Sequence, residues 1–177
     1  IDGTSFSGLN PLDSDTDDDG VNDGDEVNIH NSDPRDTDTD DDGLTDGEEV
    51  NTHDTNPTKV DSDDDGLSDY DEINTHLTNP NKADSDNDGL EDGWEALNIL
   101  TDPTADDTDN DGILDGVEAN FSSYGDPPLH SDPRNNNTDG DQFDDGDEDK
   151  NGDGVVGVNE TDPTRQEDSG DFDNDGI

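Results

Sequence analysis

Apolar residues are sparse along this chain and recur in one phase. Val21, Leu44, Leu67, Leu90 and Ile113 follow one another at steps of 23 residues, and Val27, Val50 and Ile73 stand six places beyond the first three. A pattern this thin predicts little or no β-sheet and no conventional hydrophobic core, only a narrow apolar seam between repeats. The polar positions keep the same beat. Acidic stretches starting at Asp15, Asp38, Asp61, Asp84 and Asp107 read DTDDDGVNDGDE, DTDDDGLTDGEE, DSDDDGLSDYDE, DSDNDGLEDGWE and DTDNDGILDGVE. An Asn-Pro or Asp-Pro pair places Pro11, Pro34, Pro57, Pro80, Pro103 and Pro133 four residues before a unit. Proline cannot continue a helix and pushes its predecessor to extended backbone, so each pair ends one segment and leads into the next loop. Twelve loop residues in a 23-residue period leave room for only a turn or two of helix, over 48–53 and 71–76 for example. The expected fold is a mostly irregular, solenoid-like tandem-repeat rod, with a short helical turn after each loop.

Later units depart from the beat. A 30-residue step leads to NTDGDQFDDGDE from Asn137, a 12-residue step to DKNGDGVVGVNE from Asp149, and a final partial copy, DFDNDGI, starts at Asp171. The expected organisation is therefore regular repeats over 1–118 (loops 15–26, 38–49, 61–72, 84–95 and 107–118), an insert at 119–136, and compressed repeats over 137–177 (137–148, 149–160 and partial 171–177). Joining the last residues to the first, DFDNDGI to IDGTS, gives a near copy of one unit. Both ends are thus expected to fall within a longer array or to stack end to end on another copy; a fragment with unrelated flanks is the alternative.

Composition changes what can hold such a chain together. It has 56 acidic and 6 basic residues, a net charge of -50, and 20% hydrophobic residues in 177. A chain this charged and this poor in apolar surface cannot offset its ordering entropy by burial alone. There is no cysteine, so neither disulfides nor thiolate zinc sites replace the core. Nucleic acid is excluded as a partner by like charge. No apolar run approaches the ~20 residues of a membrane span, so insertion into a bilayer is not expected. Cations are the natural partners, and an export signal is expected outside this stretch.

The acidic loops have the spacing of a calcium site. A hard cation taking six to eight oxygens is served in EF-type loops by side chains at positions 1, 3, 5, 9 and 12 and a carbonyl at 7, with glycine at 6 for the turn. The candidate ligands are Asp15, Asp17, Asp19, Val21, Asp23 and Glu26; Asp38, Asp40, Asp42, Leu44, Asp46 and Glu49; Asp61, Asp63, Asp65, Leu67, Asp69 and Glu72; Asp84, Asp86, Asp88, Leu90, Asp92 and Glu95; and Asp107, Asp109, Asp111, Ile113, Asp115 and Glu118. Less regular sets are Asn137, Asp139, Asp141, Phe143, Asp145 and Glu148, where Gln142 replaces the turn glycine, and Asp149, Asn151, Asp153, Val155 and Glu160, where Gly157 removes the ninth side chain. Asp171, Asp173, Asp175 and Ile177 begin an eighth. One divalent ion per loop leaves most of the charge uncompensated, and further acids stand at position 4 (Asp18, Asp41, Asp64), so at least one Ca²⁺ per repeat is expected and two are plausible. Magnesium, which demands near-ideal octahedral geometry, fits less well.

The 23-residue period, the DxDxDGLxDxxE loop and the trailing (N/D)P closely resemble bacterial thrombospondin type 3 repeats over nearly the whole chain. The resemblance implies extracellular, calcium-ligated rods of low secondary structure that space other domains on secreted or cell-surface proteins. Animal versions carry cysteines, which are absent here, so the bacterial form fits better. A dockerin-like interaction module is the rival reading, though dockerins use two loops rather than seven or more. An acidic calcium store or mineral-binding surface is a third, and would not need strict register. An enzyme is not expected, because nothing builds a pocket or a nucleophile–base pair.

His30, His53 and His76 share one repeat phase that Ile99 takes in the next unit, which favours packing over metal binding. Phe121 and Tyr124 mark the insert as a candidate lateral contact, and sequons at Asn120, Asn136 and Asn159 are candidate glycan acceptors.

Overall fold

The computed structural model describes residues 9–10, 12–119, 131–157 and 160–166. The chain divides into two compact units, Ile1–Ala83 and Asp84–Ile177. Among the described residues there is no strand, and the regular structure consists of short helical turns, one at the end of each of the first six acidic loops. The expected repeat architecture is the one observed.

In the first unit, each loop runs into one turn of α-helix that widens at once into a π-turn: Asp23–Asp25 into Glu26–His30, Asp46–Glu48 into Glu49–His53, and Asp69–Asp71 into Glu72–His76. Position 8 of each loop caps the helix in extended conformation. Thr45 and Glu48 form a full capping box there, and Ser68 Oγ accepts from Asp71 N at 3.1 Å. Widening the helix releases the carbonyl of its second residue, and an asparagine side chain four residues on donates to it: Asn51 to Gly47 O at 2.9 Å, Asn74 to Tyr70 O at 3.0 Å. A left-handed residue then ends each segment: Asn31, Asp54 and Leu77, with φ of 65, 58 and 63°. The chain leaves through a buried proline, Pro34, Pro57 or Pro80, in a tight turn closed by bonds such as Lys59 N to Asn56 O at 2.9 Å.

The second unit repeats this plan with Asp92–Trp94 running into Glu95–Ile99, then the helices Asp115–Glu118 and Asp145–Glu148. Within it, the third aspartate of a loop grips the helix of the following repeat. Asp88 Oδ2 accepts from Gly116 N at 2.6 Å, and Asp111 Oδ2 accepts from Gly146 N at 3.1 Å. Partners of the first pair lie 28 residues apart and those of the second 35, yet the contact is the same. The extra residues after Glu118 are therefore accommodated without altering how the next repeat docks. In the first unit Asp42 Oδ2 takes the N–H of Tyr70 in the same way at 3.1 Å.

The thin apolar seam forms only in part. Val21, Leu44, Leu67 and Ile113 are buried, whereas Leu90, Val27, Val50 and Ile73 are half-buried and Phe143 and Val155 are exposed. The most deeply buried side chains are acids: Glu26, Glu49, Glu72 and Glu95 have no solvent exposure at all. The interior of each repeat is thus a cluster of carboxylates, the reverse of an ordinary core.

Close docking sets a steric requirement at Gly116. A Cβ there would run into the backbone carbonyl of Asp88, while a Cβ at Gly24, the same phase in the first repeat, meets open space. Gly116→Ala is expected to destabilise the second unit by about 1–3 kcal/mol, and Gly24→Ala, at an open helical position, to stabilise slightly, by up to about 1 kcal/mol. Paired thermal melts in saturating calcium check this; equal effects from both substitutions would contradict the docking geometry.

Candidate metal centre

Each loop builds its site by giving one oxygen of a carboxylate to the backbone and turning the other inward. The first aspartate accepts from the turn glycine: Asp38 Oδ2 from Gly43 N at 3.1 Å, Asp107 Oδ2 from Gly112 N at 2.9 Å. Asp86 Oδ1 at position 3 takes Asp88 N at 3.1 Å, and Asp109 Oδ1 takes Asp111 N at 3.3 Å. At position 5, Asp19, Asp42 and Asp111 each hold the N–H of residue 7 at 2.7 Å. Of the opposite oxygens, Asp38 Oδ1, Asp19 Oδ2, Asp86 Oδ2 and Asp109 Oδ2 are buried and have no hydrogen-bond partner in the protein. The trios Asp15–Asp17–Asp19, Asp38–Asp40–Asp42 and Asp61–Asp63–Asp65 each bring carboxylate oxygens within 4.8 Å of one another.

The backbone explains two further columns of the repeat. Gly20, Gly43, Gly66, Gly89 and Gly112 at position 6 have φ between 102 and 110°, which side-chain-bearing residues rarely adopt. Position 4 is left-handed as well, and Asp18, Asp41, Asp64, Asn87 and Asn110 stand there with φ between 63 and 73°, exposed to solvent. Aspartate and asparagine tolerate that conformation better than other residues, so this column is explained by turn geometry rather than by extra ligation. In the sixth loop Gly140 takes the left-handed φ at position 4 (75°), and Gln142 at position 6 does not adopt it.

The twelfth-position glutamates close the sites from below. Glu49, Glu72 and Glu95 each accept one hydroxyl bond at Oε1, from Thr55 at 3.2 Å, Thr78 at 3.1 Å and Thr101 at 3.0 Å. Their Oε2 atoms, and both oxygens of Glu26, are buried with no protein partner. Ser131 and Thr161 occupy the corresponding places with respect to Glu118 and Glu148. These hydroxyls form a column directly before the (N/D)P pair, reading SDP, TNP, TNP, TDP, SDP and TDP from Ser32 to Pro163. The proline pair stands out in the sequence, whereas the uncharged hydroxyl ahead of it does not. In the first repeat Ser32 occupies the place without making the bond.

A second missed column is position 2. Thr39 donates its N–H to Asp46 Oδ1 and its hydroxyl to Asp46 Oδ2, both at 2.8 Å, and its Oγ1 accepts from Asp33 N at 2.9 Å. Thr108 does the same between Asp115 and Asp102. The ninth-position aspartate is thereby tied to the proline turn of its own repeat. It also faces the preceding repeat: Asp19, Glu26 and Asp46 bring carboxylate oxygens within 4.8 Å.

Crowding raises the proton affinity of these acids. Burial first, then neighbouring carboxylates, pushes Glu26, Glu49, Glu72 and Glu95 up to about 8 and Glu118 to about 9. The same causes lift Asp17, Asp63, Asp86 and Asp109 to about 6. Buried like charges with inward-facing lone pairs call for a compensating cation. An all-oxygen donor set fits a hard divalent ion and excludes a soft one.

The later loops are weaker. Asn137 Oδ1 is engaged by Gly140 N at 2.7 Å, though Asp145 and Glu148 remain buried. Asp149 is buried and accepts from Gly152 N at 3.0 Å and Gly154 N at 2.7 Å, but Glu160 folds back to take Gly157 N at 2.6 Å. Asp171, Asp173, Asp175 and Ile177 lie outside the described residues, as do Pro11, Asn120, Phe121, Tyr124 and Asn159. His30, His53 and His76 are half-buried, and His30 lines a groove with Thr55, Asn56 and Pro57 of the following repeat, which accords with packing.

Loops of this geometry, repeated in register and followed by single helical turns, define a tandem array of EF-type acidic repeats. The family described as bacterial TSP3 repeat matches residues 15–37, 38–60, 61–83, 84–105 and 107–120, and the chain belongs to that family of calcium-binding repeats. Two solved structures share short segments with it. A biofilm-associated protein BSP domain is 42% identical over 24% of this chain, with a TM-score of 0.24, and a biofilm-associated protein B domain is 40% identical over 25%, with a TM-score of 0.25. The matches span only 7% and 11% of those chains and carry no argument about overall arrangement or role. No curated protein matches the chain.

Proposed function

We propose that this chain is a non-enzymatic, extracellular calcium-binding spacer, a rod of repeats held in shape by its ions, on a secreted or cell-surface protein. The observation that carries the reading is the complete burial of Glu26, Glu49, Glu72 and Glu95. A repeat whose interior is its ligand shell folds when the ion binds, so binding and stiffening are one event. Extracellular sites of this kind often have dissociation constants of ~10⁻⁴–10⁻³ M, suited to a calcium-rich exterior. The regular repeats of 1–118 form the main array in this reading, with 137–177 as a weaker continuation, and end-to-end stacking of further repeats extends it.

Two kinds of carboxylate cluster support a count of two ions per regular repeat. The first uses positions 1, 3, 5 and 12 and the carbonyl of position 7. The second uses positions 5 and 12 together with position 9 of the next repeat, as in Asp19, Glu26 and Asp46. The second ion then joins neighbours, and calcium load controls stiffness between repeats. Equilibrium dialysis with Asp46→Asn tests this. The variant should lose one ion and weaken the loop of residues 15–26 although the substitution lies in the next repeat. An unchanged ion count, or a loss confined to residues 38–49, would refute the shared site.

A further inference from the structure

We propose that Asn151 is a built-in deamidation site whose reaction is held off by calcium, so that isoaspartate there records how long the array has lacked its ions. The inference rests on the reading of residues 149–160 as a cation-held loop.

Asn151–Gly152 is the only Asn-Gly step in the chain. The absence of a side chain on the following residue lets its backbone nitrogen approach the asparagine Cγ, the requirement for cyclisation. The Gly152 nitrogen attacks Asn151 Cγ, a C–N bond forms, and the side-chain amide leaves as ammonia with the proton from Gly152. Water then opens the succinimide at either carbonyl, yielding aspartate or isoaspartate, and no oxidant or reductant is involved.

In the folded loop this nitrogen is occupied. Gly152 N donates to Asp149 O at 3.1 Å and to Asp149 Oδ1 at 3.0 Å. Asn151 Oδ1 is held in turn by Asp153 N at 3.0 Å, which fixes the amide that would have to rotate. Attack therefore requires the loop to open, and a ligand that binds only the closed loop leaves only the unoccupied fraction free to react. Position 151 is also where the product matters. The five regular loops and the sixth carry aspartate at position 3, and here an asparagine stands there with no ninth side chain. Conversion to aspartate adds the missing carboxylate, whereas isoaspartate inserts an extra backbone carbon into the turn and breaks the ligand register.

The full chain is incubated at pH 8 in calcium-free buffer and in calcium, and peptide maps are read for the amide-to-acid mass gain and for isoaspartate at residue 151. Product should accumulate in calcium-free buffer and form about tenfold more slowly when free calcium is ten times the dissociation constant of that loop. Asn151→Gln should abolish product at that position while other asparagines react as before. No product in the calcium-free chain would overturn the proposal. Equal rates with and without calcium, in a chain shown by dialysis to bind it, would overturn the protection while leaving the calcium reading intact. Equal rates in a chain that binds no calcium would sink both.

Discussion

Stripping calcium from this protein at pH 8 is expected to expand it toward the dimensions of an unfolded polymer, with a radius of gyration approaching about 45 Å for 177 residues. The reason lies in what the ions replace. Among the described residues Val21, Leu44, Leu67 and Ile113 are the aliphatic side chains that are buried, far too little to hold a chain that carries a net charge of -50. Without cations, each site leaves Glu49 or its counterpart fully buried among aspartates, and expansion relieves that repulsion directly. Small-angle scattering with and without chelator, at fixed ionic strength, measures the effect. Restoring calcium should reverse it, and magnesium at the same concentration should do so less completely. A scattering profile unchanged by the chelator would mean that something other than the ions holds the fold.

The loop ligands could be read in advance because calcium fixes both residue type and spacing. Asp15, Asp17, Asp19 and Glu26 stand where oxygens are needed, and four equal steps of 23 residues made chance implausible. What escaped notice were residues whose work is done on the ligands. Thr39 and Thr55 are uncharged and individually ordinary, yet one fixes Asp46 and the other Glu49. Writing the repeats one beneath another displays both as hydroxyl columns, but in so acidic a chain charge draws the eye first. The position-4 acids misled in the opposite direction. Asp18, Asp41 and Asp64 looked like surplus ligands, whereas their left-handed φ and exposure explain them as turn residues. The π-turns had no legible signal beyond the asparagine column of Asn28, Asn51 and Asn74, and burial of the twelfth-position glutamate does not account for them, since Glu118 and Glu148 are buried in helices that do not widen.

Acidification is expected to act with opposite sign in the presence and absence of calcium. In the ion-free fold Glu49, Glu72 and Glu95 are raised from 4.5 to about 8, so between those values the fold holds protons that the unfolded chain has released. Linkage then requires stability to be greatest below the unfolded pKa and to be lost as pH rises through the folded one. Calcium inverts this. The bound ion selects the ionised carboxylates and holds their pKa values down, so protons compete with it and stability falls as pH falls. Melting curves followed by the fluorescence of Trp94, the only tryptophan in the chain, at pH 5 and pH 8 decide the matter. The ion-free samples should be stripped by dialysis, because chelators themselves weaken in acid. Without calcium the transition should be stronger at pH 5 than at pH 8; with saturating calcium it should be stronger at pH 8. Slopes of the same sign in both conditions would show that Glu49 and its counterparts do not exchange protons for ions, and would remove the basis for a fold whose core is its ligand shell.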